Sequence, residues 1–138
     1  MRVEWLILAD GAQTVGNKLY LLGGGWDTVS ASTSFPVEHH MAVAVSFLVP
    51  WDETNMKHNF QLEILTEDGV SLTRIGGQFE VGRPAGIPGG SEQRSQIAVD
   101  MMIALPKVGV YVVVAKLEDI EQGKTTFRVV DSQRTRFA

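Results

Sequence analysis

Apolar residues recur at every second position along almost the whole chain, and each run is cut short by turn formers. Phe60, Leu62 and Ile64 alternate with Gln61 and Glu63 until Glu67-Asp68-Gly69 ends the run. Val43, Val45, Phe47 and Val49 alternate with Ala42, Ala44 and Ser46, and Ile97, Val99, Met101 and Ile103 with Ala98, Asp100 and Met102. Successive side chains of a strand point to opposite faces, so this period lays one apolar face on a core. No window carries a sustained 3.6-residue stripe, and only 52–57 and 117–121 have room for a helical turn. About eight strands are predicted, near residues 2–9, 18–30, 38–49, 59–66, 70–81, 95–105, 109–118 and 124–131. Asp10-Gly11, Gly16-Asn17, Pro36, Pro50, Asp68-Gly69, Pro106 with Gly109, and Gln122-Gly123 bound them. This spacing predicts an all-β fold, an antiparallel two-sheet sandwich of immunoglobulin-like type with an added N-terminal strand; a jelly roll is the alternative.

At 138 residues the expectation is one sandwich domain over 1–131 and a C-terminal tail over 132–138, which frays unless a neighbouring subunit pins Phe137. The 12 Lys+Arg stand against 16 Asp+Glu, a net charge of −4 that argues against nucleic acid or an anionic membrane as partner. There is no cysteine, which excludes disulfides, thiolate metal ligands and cysteine nucleophiles. The apolar run Trp5 to Ala9 follows Glu4 and ends at Asp10, too short for a leader. The longest other stretch, Val108 to Ala115, falls far below the ~20 residues a membrane span needs. A cytoplasmic protein is the expectation.

The densest local pattern is Ala9-Asp10-Gly11-Ala12 followed by Lys18-Leu19-Tyr20-Leu21-Leu22-Gly23-Gly24-Gly25-Trp26-Asp27. The triple glycine lacks the Lys-Ser/Thr ending of a phosphate loop and the spacing of a dinucleotide fingerprint, and no helix follows it. Glycines inside strands mark bends or close approaches. Asp10-Gly11 is therefore expected to make the first hairpin turn. The glycines are expected to bend one long strand so that it passes between sheets and Trp26 plugs the core. A ligand groove over bare glycine backbone is the alternative.

His39 and His40 are adjacent, so in a strand they face opposite sides and cannot chelate one ion together; His58 stands apart. No metal site, no cofactor and no catalytic residue is assigned, and no Ser-His-Asp spacing exists. Asp100, a charge inside an apolar strand, lies on a solvent face, pairs with a base across the sheet, or protects an edge. Gly82 to Ser91 reads as a long mobile loop rich in Gly and Pro. Trp51, between Pro50 and Asp52-Glu53, is the best exposed aromatic. The candidate ligand-binding residues are Trp26, Asp27, Trp51 and Arg83.

Leu105-Pro106-Lys107-Val108-Gly109-Val110-Tyr111 resembles the turn that opens the penultimate strand of immunoglobulin-like domains, where the tyrosine hydroxyl bonds back to the corner. Together with the Ala9–Ala12 and Lys18–Asp27 segments and the Phe60–Ile64 strand, the chain resembles a family of small uncharacterised bacterial proteins over its whole length. That resemblance implies no activity and carries over no catalytic residue. Val110, Val112 and Val114 back onto Tyr111, Val113 and Ala115, so this strand is apolar on both faces, and the Ala42, Ala44, Ser46 face is equally smooth. Such faces need cover from a loop, the N-terminal segment or another subunit, which predicts a homo-oligomer. The functional expectation is a non-enzymatic binding or assembly module acting through protein–protein contacts and self-association, with a possible protein partner. The alternative is a small-ligand or carbohydrate-binding domain. An enzyme using His39, His40 or His58 has least support. A cleft gathering Trp26, a histidine and two acids would favour a ligand or a reaction.

Overall fold

A computed structural model describes residues 1–132, which form nine strands in two sheets. In chain order they are β1 (Arg2–Val15), β2 (Lys18–Gly24), β3 (Thr28–Ala31), β4 (Val37–Val49), β5 (Lys57–Thr66), β6 (Ser71–Glu80), β7 (Gln93–Leu105), β8 (Gly109–Leu117) and β9 (Ile120–Asp131). One sheet runs β2-β1-β4-β7 and the other β3-β9-β8-β5-β6. The period-two residues meet between them: Met41, Val43, Val45 and Phe47 of β4 pack with Leu62, Ile64, Tyr111, Val113, Phe127 and Val129. Phe47 stacks on Phe79 at 5.1 Å and Tyr111 on Phe127 at 5.3 Å. The fold is an all-β sandwich. The Tyr111 hydroxyl donates to the Lys107 carbonyl (2.6 Å) and accepts from the Lys107 N–H (3.2 Å), the corner bond expected of this segment.

Four expectations are corrected. The 18–30 segment is two strands rather than one, because the glycines carry the chain from one sheet to the other: β2 pairs with β1, and β3 pairs with β9. The bend is where it was expected, but the second pairing is parallel, so the sandwich is not wholly antiparallel. Asp10-Gly11 is not a hairpin turn, since β1 continues through it to Val15. The turn is Gly16-Asn17, with φ of 56° and 62°. A two-residue hairpin of this kind needs positive φ at both central positions, which Gly and Asn tolerate. Gln122-Gly123 likewise lies inside β9, and Glu118-Asp119, with φ of 50° and 64°, make that turn. Of the two possible helical turns, the first is a single 3-10 turn at Trp51–Glu53.

The Ala9–Ala12 segment bends β1 instead. Its pairing with β4 ends at Ala9↔Ala42. Beyond that point the Ala12 N–H donates to the Asp100 carboxylate on β7 (3.2 Å), and the Asn17 carbonyl accepts from Gln96 on the same strand (2.9 Å). The β1–β2 hairpin therefore folds back across the outer face of its own sheet. Ala9, Ala12, Ala42 and Ala44 form a second small cluster there, with Trp5, Leu19 and Ala98 against it. Residues this small let two backbones approach closely. The smooth face of β4 is thus covered from within the chain. Asp100 is exposed on that outer face, as one of its expected roles had it, and from edge strand β7 it also holds the hairpin down. On the other sheet Val114 is buried and Val110 and Val112 are half-buried. The neighbouring Glu63, itself buried, accepts from Arg74 at 3.0 and 3.2 Å.

Glu4 adds a second tie across the hairpin sheet. It accepts from Arg94 Nε (2.6 Å), Arg94 Nη2 (2.7 Å) and the Ser46 hydroxyl (2.8 Å), joining β1, β4 and β7. The Arg94 guanidinium first, and the Ser46 hydroxyl second, pull its carboxyl from the ordinary 4.5 down to about 2. A carboxylate depressed in the folded state stabilises it above the unfolded pKa, and that contribution is lost as pH falls toward the folded value. Wild type is therefore expected to lose more stability than Glu4→Gln between pH 4.5 and about 2, read from urea unfolding midpoints. Equal losses in the two proteins would refute the assignment.

The tail lies outside the described residues beyond Ser132, whose hydroxyl donates to the Ala31 carbonyl (2.8 Å).

Candidate binding site at the glycine corner

Where β1 leaves β4, the first residues of β4, Val37 to Met41, keep a partner only on the β7 side. The chain from Gly23 to Asp27 crosses this gap. The Gly25 N–H donates to the Leu8 carbonyl (2.8 Å) at one end, and the Arg128 N–H to the Asp27 carbonyl (2.8 Å) at the other. Trp26 enters between, edge-on to Phe127 and to His39, each at 5.7 Å between ring centres. A cleft of about 570 Å³ remains, lined by Asp10, the three glycines, Trp26, His39 and residues Thr28 to Ser30 at the outer edge of β3.

The glycines are required here for two reasons. Gly23 has φ of +58°, a region that costs L-residues about 1–2 kcal/mol. A Cβ on Gly23 would also overlap the Asp10 carboxylate, with Asp10 Cγ only 2.8 Å away. The acid thus lies directly against bare backbone, and it is exposed. His39, on the core-facing side of β4, has its pKa lowered chiefly by burial, with Asp10 opposing and His40 adding to the fall. Its imidazole is neutral at neutral pH. Trp26 Nε1 and His39 Nε2 are closed off from solvent and have no hydrogen-bond partner among the described residues. Leaving such a group unpaired costs about 1–3 kcal/mol.

Of the four residues singled out from the sequence, Trp26 lines the cleft. Asp27 sits beside it but outside the lining, and its carboxylate accepts from the Thr28 hydroxyl (3.0 Å). Trp51 and Arg83 come together elsewhere. The guanidinium lies 4.1 Å over the indole and donates to the Trp51 carbonyl (2.7 Å) and the Thr54 hydroxyl (2.6 Å). This pair clasps the Gly82–Ser91 loop to the 3-10 turn, and Trp51 is half-buried rather than a free platform. The histidines disperse. His40 is exposed on the outer side, while His58 is buried, with Nε2 2.7 Å from the Glu53 carbonyl and Nδ1 3.3 Å from Glu118. Among the described residues no three His, Asp or Glu side chains gather in a way that could hold a metal ion.

Sequence reasoning missed Asp10 and His39. Asp10 beside Gly11 has the local signature of a turn, and His39 meets Trp26 only through the order of strands in the sheets. The cleft gathers Trp26, one histidine and one acid.

The same segment also forms an outer surface. β2 ends the first sheet, and its Tyr20, Leu21 and Leu22 are exposed, Leu22 to 75%. No helix among the described residues is long and apolar enough to cross a membrane. Residues 4–130 match a family of unknown function, DUF6941. No curated protein matches the chain.

Proposed function

The chain belongs to this family of unknown function, and from that premise we propose that it is a non-enzymatic binding or assembly module. It works through protein–protein contacts, first of all with copies of itself. The observation that carries the reading is the β2 edge. An edge strand offers unpaired N–H and C=O groups to any other strand, and proteins guard it with charge, bulges or brevity. Three of the four edges here are guarded in this way. β3 has four residues, β6 carries Arg74, Gln78, Glu80 and the pair Gly76-Gly77, and β7 carries Arg94 and Asp100.

β2 has one charge, Lys18 at its start, and then Leu19, Tyr20, Leu21 and Leu22. Two such strands running antiparallel about Leu21 set Tyr20 of one copy against Leu22 of the other. The two Lys18 side chains then lie at opposite ends, so no like charges meet. This is an isologous twofold contact, the commonest kind in homo-oligomers. The Tyr111 corner supports an immunoglobulin-like build for the sandwich that presents it.

Light scattering and sedimentation test the reading. Wild type is expected to be a dimer or larger at micromolar concentrations. Leu22→Lys is expected to weaken association by at least about tenfold while leaving the far-ultraviolet dichroism unchanged. A wild-type chain that stays monomeric throughout removes the reading.

A further inference from the structure

The geometry points to the glycine-corner cleft as a binding site for a small, neutral, polyhydroxylated ligand of the sugar or polyol class. This site stands whether or not copies pair through β2. Its volume, about 570 Å³, lies within the range of small-molecule pockets, roughly 300–1,000 Å³. Among the described residues its lining holds one carboxylate, Asp10, and neither lysine nor arginine, so an anionic ligand meets the repulsion of Asp10 there. An ammonium would satisfy Asp10 but not Trp26, whose indole N–H can only donate. A hydroxyl group does both, because it donates to the carboxylate and accepts from the indole.

Two further features match that chemistry. A Cβ placed on Gly25 would meet nothing within 4 Å, so the backbone there is open to close approach by a ligand oxygen. The Ser30 hydroxyl, exposed on β3, adds a group that both donates and accepts. The unpaired Trp26 Nε1 and His39 Nε2 are costs the fold already carries, so a ligand hydroxyl that reaches them displaces no existing partner. Reaching them asks the Trp26 ring to turn toward the cleft, and the indole N–H resonance reports that turn.

The experiment is a nuclear magnetic resonance titration of the full ¹⁵N-labelled chain with glucose, galactose, maltose and cellobiose. Methylammonium and glucose 6-phosphate serve as charged controls. At least one neutral sugar is expected to shift the Trp26 indole N–H and the Gly24 and Gly25 amides saturably, with a Kd below about 10 mM. Asp10→Asn, which keeps the shape of an exposed side chain, is expected to weaken that binding by about tenfold or more. Trp26→Phe assigns the indole signal and is also expected to weaken binding. If Trp26→Phe fails to fold, Asp10→Asn carries the test alone. The proposal is overturned if no neutral sugar moves these resonances, or if the shifts fall elsewhere on the chain. It is equally overturned if Asp10→Asn binds as wild type, or if either charged control binds as tightly as the best neutral sugar.

Discussion

Phe127→Ala is expected to cost about 3–5 kcal/mol of folding stability, a large part of the 5–15 kcal/mol a domain usually holds. Phe127 is 1% exposed, stacks on Tyr111 and meets the edge of Trp26, so one side chain ties β8, β9 and the glycine corner together. Removing it deletes buried apolar area and leaves a cavity that two sheets held by hydrogen bonds cannot collapse. Phe127→Leu keeps most of the volume and is expected to cost clearly less. Urea unfolding followed by circular dichroism measures both. A loss below about 1 kcal/mol for the alanine variant would mean that Phe127 does not brace the core.

Gly23→Ala is expected to cost roughly 1–3 kcal/mol, large for one added methyl group. Two physical terms contribute. Alanine resists the +58° φ, and its methyl must push the Asp10 carboxyl aside. The second term is separable, because Asp10→Ala removes the carboxyl and leaves the backbone strain. In a double-mutant cycle the two substitutions are therefore expected to couple by about 1 kcal/mol, with Gly23→Ala milder in the Asp10→Ala background. Additive effects would place Asp10 and Gly23 out of contact. The cycle also reports on the cleft, since both residues line it.

Much of the fold is legible in the chain. The alternation in Val43 to Val49, Phe60 to Ile64 and Phe127 to Val129 carries the faces of their strands, because period two is a local property of the backbone. The Pro106 to Tyr111 segment carries its own corner bond, as its partners lie four residues apart. Turn chemistry was only half legible. Asp10-Gly11 and Gln122-Gly123 have the composition of turns, yet both lie within strands. The decision fell to Gly16-Asn17 and Glu118-Asp119, whose hairpins put apolar partners in register.

The candidate site was less legible. Trp26 and the glycines announced themselves, since three glycines before a tryptophan need a structural reason. Trp51 and Arg83 also looked available, but they spend their exposed surface on each other. His39 carried no local signal for this cleft, because its neighbour in space is 13 positions away in sequence and lies on the segment that crosses between the sheets.

The sequence by itself determined the class of fold, the in and out faces of its strands, and the place where the chain changes sheets. Each follows from interactions among residues close in the chain, where spacing and backbone preference decide. Only the tertiary structure decided that the β1–β2 hairpin folds over Ala42 and Ala44, that Asp100 holds it there, and that Asp10, Trp26 and His39 share one cleft. Those outcomes depend on which strand lies beside which, and alternation constrains the faces of a strand without choosing its neighbours.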